Sequence, residues 1–141
     1  MRRGSRPSLS LSSVGTVALG GVAGTAAREG LSLLWPPVDT VAWVVTVINL
    51  LGSFALGWLL ERLARRPLPG TRTRHARLLA GTGFLGGFTT YSSLAVETAD
   101  LLAQGRGAMG LGIGIGTVVM GVVAAWLGVV VASGRHPEEG R

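Results

Sequence analysis

The sequence predicts an all-α membrane protein with four transmembrane helices, and three observations carry that prediction. The chain has 141 residues, of which 48% are hydrophobic and only 14% charged, against roughly 25% charged in an average soluble domain. Its uncharged stretches, Ser8–Ala27, Thr40–Leu60, Leu78–Val96 and Gly107–Gly134, approach or exceed the about 20 apolar residues that cross a bilayer core as a helix. The arginines gather at the ends of those stretches rather than within them. This length makes one domain, 1–141,.

The first helix is expected over 14–35. Arg28 and Glu29 interrupt its uncharged run, yet "GLSLLW" continues apolar to Trp35, which leaves the charged pair near the outer end. Pro36 and Pro37 end it, because proline has no N–H to offer a helix interior. A signal peptide would also follow Arg2, Arg3 and Arg6, but three further spans and an overlong apolar region argue against that reading,. The second helix covers 40–62, a basic loop covers 61–77, and the third and fourth helices cover 78–103 and 107–133. Glycines four apart, Gly20 with Gly24, Gly110 with Gly114 and Gly112 with Gly116, form faces for close helix packing, as small residues do in lipid.

Arginine placement gives the direction of insertion. Arg2, Arg3 and Arg6 precede the first span, and Arg62, Arg65, Arg66, Arg72, Arg74 and Arg77 lie between the second and third. The other two connections hold only Arg28 and Arg106. Positive segments stay in the cytoplasm, so both termini and the second connection are expected inside, in a plasma-membrane protein inserted one way. The net charge of +6 is therefore a topology signal, and a nucleic-acid partner is not expected.

Several chemistries drop out. There are no cysteines, which removes disulfides and thiolate metal sites. His75 and His136 lie in charged segments without neighbours at ligand spacing, so no catalytic Ser/His/Asp grouping can assemble in the spans. No enzyme is indicated. Gly81-Thr82-Gly83-Phe84-Leu85-Gly86 matches a dinucleotide-binding pattern, but that motif needs a preceding strand in a βαβ unit, and an arginine-rich connection stands there instead.

What remains is polar chemistry at membrane depth. Asn49 lies in the middle of the second span, where it either makes an interhelical hydrogen bond or marks an ion path. The third span reads "GTGFLGGFTTYSSLAVE", with Gly86 and Gly87 adjacent and Thr89, Thr90, Ser92 and Ser93 flanking Tyr91. Each glycine weakens a helix by about 1 kcal/mol relative to alanine, and clustered hydroxyls offer the freed backbone other partners. A helix break near mid-membrane is expected. Such a break persists only inside protein or beside an aqueous cavity, and there it presents carbonyls to a cation or N–H groups and hydroxyls to an anion.

"VINLLGSFALG" with "GFLGGFTTYSSLAVE" resembles the small fluoride channels of the CrcB or Fluc family. Asn49, Gly52, Ser53 and Phe54 match the family's second-helix motif, Gly86, Thr89, Thr90, Ser92 and Glu97 match its third-helix motif, and "GGVAGTAARE" matches a first-helix segment ending in Arg28. The resemblance implies an antiparallel, dual-topology dimer with fluoride passing through narrow pores at the interface. It implies a structural sodium ion held by the backbone carbonyls of Gly86 and Thr89. Asn49, Ser92 and Ser93 are expected to donate to fluoride, and ring edges at the two aromatic positions of the motif to face it.

Those aromatic positions are Tyr91 and Leu94 here, so one ring gains a hydroxyl and the other is lost. The family's threonine four residues before the asparagine is Val45, with Thr46 one place late. One-way insertion and the missing ring together point to pairing with a homologous subunit of opposite topology rather than with itself, leaving one competent pore. Two rivals stand beside this reading. A small multidrug exporter would need a membrane-embedded acid, for which Glu29 is the one candidate, and a non-transporting scaffold would tolerate Asn49→Ala.

Overall fold

The structure, a computed structural model, describes residues 10–35, 37–38, 41, 43–65 and 70–134. Expectations resting on Arg2, Arg3, Arg6, Pro36, Arg66 and His136 lie outside the described residues. Within them the chain is helical, with no strand and a single isolated bridge between Val38 and Val41.

Helix α1 spans Leu11–Leu34 and begins earlier than expected because Ser10, in extended conformation, caps it. The Ser10 hydroxyl accepts from the Ser13 N–H at 3.2 Å, filling one of the donors a helix start leaves open. Helix α2 spans Trp43–Arg65. The expected loop 61–77 is helical at both ends: α2 runs through Arg65, and a short α3, Gly70–Ala76, leads into the third span. That span has two limbs. A π-helical stretch, Arg77–Leu85, passes into α4, Gly86–Phe88, and after Thr89 and Thr90 the chain resumes as α5, Tyr91–Ala103. Helix α6 spans Gly107–Ser133.

The turn between α5 and α6 shows how the sequence stops a helix. Gly105 takes φ 74°, its N–H donates to the Leu102 carbonyl at 3.0 Å, and the Arg106 N–H donates to the Leu101 carbonyl at 2.8 Å. This is the paired capping that a left-handed glycine allows after a helix end.

Glycines set the packing. A Cβ at Gly20 or Gly24 would run into the backbone of the first limb at Leu79, Phe84 and Phe88, so α1 lies directly against that limb. A Cβ at Gly57 would strike the Ala125 carbonyl, and one at Gly128 the Phe54 carbonyl, which brings α2 and α6 equally close. Gly110 and Gly114 pack against Thr98 of α5. Gly112 and Gly116 face open space, so that expected glycine pair makes no packing face within the chain. The register of α6 turns it outward.

The ends expected in the cytoplasm are tied together. Arg74 donates to the Ser13 hydroxyl at 3.1 Å, joining α3 to the start of α1. Arg65 pairs with Glu61 and donates to the Ser133 hydroxyl at 3.1 Å, which itself donates to Glu61 at 3.1 Å. Those bonds join the ends of α2 and α6.

Two helices, α2 and α6, are each long and apolar enough to cross a membrane. Helix α1 carries Arg28 and Glu29, and the third span is divided into shorter pieces. Large apolar side chains stay exposed along α6, Val122 at 67% and Ile115 at 63%. A surface of that kind is covered by lipid or by another subunit.

Candidate functional site

The third span breaks at Thr89 and Thr90, both extended, with φ −78° and ψ 155° at Thr89 and φ −146° and ψ 120° at Thr90. The break thus falls beyond the paired glycines. Gly86 keeps helical angles, φ −66° and ψ −34°, and Gly87 closes α4 against α1, where a Cβ would meet the Gly21 carbonyl at 2.5 Å and the Thr25 hydroxyl at 3.0 Å. Those glycines allow close approach, and the threonines make the bend.

Asn49 fixes the bend from α2. Its amide nitrogen donates to the Thr90 carbonyl at 2.9 Å, and its amide oxygen accepts from the Thr90 N–H at 2.8 Å. One side chain therefore satisfies both polar groups of the Thr90 peptide, where an unmade bond costs about 1–3 kcal/mol per group. Gly52, one turn further along α2, leaves room for this approach, since a Cβ there would collide with the Thr89 methyl group. The Thr90 hydroxyl then starts α5 by accepting from the Ser93 N–H at 3.1 Å.

These bonds release two carbonyls. In an unbroken helix the Thr90 N–H would bond the Gly86 carbonyl and the Ser93 N–H the Thr89 carbonyl, four residues back. Here the first donor goes to Asn49 and the second to the Thr90 hydroxyl. The Leu85 carbonyl, by contrast, takes both the N–H and the hydroxyl of Thr89, at 3.0 and 2.9 Å. Gly86 and Thr89 both line an open cleft of about 620 Å³, walled by α2 and α6 and shared with Asn49, Ser53, Thr90 and Tyr91. Neutral carbonyl oxygens are among the donors a hard cation takes, and two residues whose carbonyls have left the helix ladder line one cleft, so these residues fit the sodium ion that the family pattern implies.

The remaining predicted residues divide between the cleft and its supports. Tyr91 is 77% exposed at the cleft edge. Ser92 and Ser93 turn their hydroxyls to the Thr90 hydroxyl, at 3.2 and 3.0 Å. Leu94 lines the cleft as well, and is buried in one apolar cluster with Val44, Val45 and Ile48, against which Phe88 and Ile113 pack. The two departures, Val45 and Leu94, are thus neighbours in the core. Glu97 is buried on α5, away from the cleft lining. Arg28 reaches the far side of the break, where its Nε donates to the Gly87 carbonyl at 3.3 Å. Glu29 is paired with Arg28 at 2.9 Å and is 59% exposed, a poor position for a membrane-embedded proton carrier.

Two polar residues of this region were not anticipated. Thr117 lines the cleft from α6 and faces the Thr46 hydroxyl at 3.4 Å. Its signal was present, since a lone hydroxyl in the middle of an apolar span is the same kind of exception as Asn49. Thr25 donates to the Gly87 carbonyl at 3.4 Å. Among the described residues no group of three His, Asp or Glu side chains could hold a metal, so any cation here must rely on oxygens of other kinds.

A family model described as CrcB-like protein, Camphor Resistance (CrcB), matches residues 15–129. The chain is 44% identical over 117 residues to the fluoride-specific ion channel FluC 2 of Leifsonia xyli subsp. xyli, covering 83% of this chain and 81% of the relative. It is 44% identical over 124 residues to fluoride-specific ion channel FluC 1 of Cutibacterium acnes, covering 86% and 85%. It is 40% identical over 115 residues to the fluoride-specific ion channel FluC of Thermus thermophilus, covering 79% and 87%.

Proposed function

The chain belongs to the CrcB family, and on that premise we propose that it is a fluoride-selective ion channel, a passive path for fluoride out of the cytoplasm that lowers its toxicity. The observation that carries the reading is the bend at Thr89 and Thr90, pinned by Asn49 and open to a cleft. A small, strongly hydrated anion gives up water only where donors replace it at close quarters. An Asn amide carries two N–H donors, and Asn49 gives one to Thr90. The other is available to fluoride in the cleft, together with the exposed Tyr91 beside it.

The chain crosses the plasma membrane four times with both termini in the cytoplasm, and it works as one half of an antiparallel dimer. The arginine distribution and the ties among the expected cytoplasmic ends support that topology. A structural sodium ion is held by the Gly86 and Thr89 carbonyls, and a second subunit facing the cleft doubles their number. Sodium, when bound, supplies fixed positive charge beside the anion path. This chain's own residues orient the carbonyls, exclude lipid from the bend and donate hydrogen bonds.

The second subunit is a homologous chain of opposite topology. Supporting this, Val45 and Leu94 share one apolar cluster, where the family pattern has a hydroxyl and a ring. One competent pore per dimer follows. The test is fluoride efflux from liposomes, read with a fluoride electrode. Co-reconstitution with a homologous chain of reversed arginine bias is expected to give efflux, and this chain alone to give little. Robust efflux from this chain alone would overturn the obligate pairing, and no fluoride efflux in either case would overturn the channel reading.

A further inference from the structure

The break has a far side. Of the carbonyls at the end of the first limb, Leu85 is closed by Thr89 and Gly86 has lost its donor to Asn49. Gly87 points the other way. Its carbonyl accepts from Arg28 Nε at 3.3 Å and from the Thr25 hydroxyl at 3.4 Å, both on α1. Arg28 is held in that pose by Glu29 at 2.9 Å, and its side chain is only 19% exposed.

From these contacts we infer that Arg28 and Thr25 are positioning residues of the conduction site. They anchor the Gly87 carbonyl to α1 and so fix the rotation at which Gly86 offers its own carbonyl to the cleft. Successive helical carbonyls are rotated by about 100° around the axis. Fixing Gly87 against α1 therefore fixes Gly86 toward α2 and α6. A cation also belongs at this place electrostatically, because the end of the first limb is the negative end of a helix dipole. A guanidinium there draws on Gly87 alone and leaves the cleft-facing oxygens for a ligand. Asn49 from one side and Arg28 with Thr25 from the other thus clamp the break between α2 and α1.

This inference deepens the channel reading and rests on it for the role of the cleft, but the clamp itself can be read without transport. The experiment measures hydrogen–deuterium exchange in peptides spanning 85–93, using the full chain in nanodiscs, for wild type, Arg28→Met, Arg28→Gln, Thr25→Val and Thr25→Ser. Arg28→Met and Thr25→Val remove a donor, and each is expected to speed exchange at the break by about tenfold, as loss of one hydrogen bond to a buried carbonyl allows. Peptides from α6 are expected to be unchanged. Arg28→Gln and Thr25→Ser retain an N–H or O–H donor and are expected to stay within about threefold of wild type. In parallel, melting is followed in sodium chloride against choline chloride. The donor-deleted variants are expected to need about tenfold more sodium for half of the wild-type gain. Unchanged exchange at the break in Arg28→Met or in Thr25→Val would overturn the clamp. If Arg28→Met fails to fold, the Thr25→Val and Thr25→Ser pair decides it. Wild-type melting that ignores sodium would count against the cation reading alone, because the exchange result stands apart from it.

Discussion

Asn49 meets the Thr90 peptide with both ends of its amide, and that arrangement sets its cost of removal. Asn49→Ala strands a buried N–H and a buried carbonyl, each costing about 1–3 kcal/mol. We expect a marked fall in melting temperature in detergent and loss of fluoride efflux, whereas a variant that kept wild-type melting would separate Asn49 from the bend. The sequence singled out Asn49 because an amide at mid-membrane is expensive, but its partner lies 41 residues away and no spacing rule links the two. Leu94 taught the opposite lesson. It was conspicuous for the ring it lacks, and it both lines the cleft and packs in the cluster that holds Val45. Val45 departs from the second-helix motif and Leu94 from the third-helix motif, yet both fall in one apolar cluster, which a linear reading cannot register. Arg28 was marked by the family's first-helix segment, but its partner, the Gly87 carbonyl, lies 59 residues away and again no spacing rule links the two.

At the level of elements, the fourth helix was legible almost to its ends, because its apolar run is long and bounded by arginines on both sides. The third span was legible as broken but not at the right residues. Glycine weakens a helix without forcing it apart, and Gly86 and Gly87 stay helical while Thr89 and Thr90 extend. The π-helical turns at Arg77–Leu85 had no sequence signal beyond Gly81 and Gly83. Small residues also need a register before they mean anything. Gly24 and Gly57 sit where a Cβ would strike a neighbouring carbonyl, while Gly112 sits in the open. We therefore expect Gly24→Val and Gly57→Val each to cost about 1–3 kcal/mol through overpacking. Gly112→Ala should leave subunit stability unchanged or raise it by up to about 1 kcal/mol through helix propensity. Melting curves of the three purified variants check the contrast, and equal losses in all three would show that the assigned helix faces are wrong.

The molecule as a whole divides into two packed groups, α1 with the first limb of the third span and α2 with α5 and α6. Its orientation can be checked directly because the chain contains no cysteine. A single Thr71→Cys, exposed on α3, is expected to react with a membrane-impermeant maleimide only after the cytoplasmic side is opened. Equal labelling from both sides would overturn one-way insertion. The same division has a consequence for biogenesis. Helices α1 and α2 leave the ribosome first, yet they hardly touch each other. The close mate of α1 emerges only with the third span, and that of α2 only with α6, the last helix to be made. Early segments must then wait in the bilayer as loosely associated rods, as separate insertion and packing stages allow. A nascent chain stalled before α6 would be inserted but unassembled, and a natural substrate for membrane quality control.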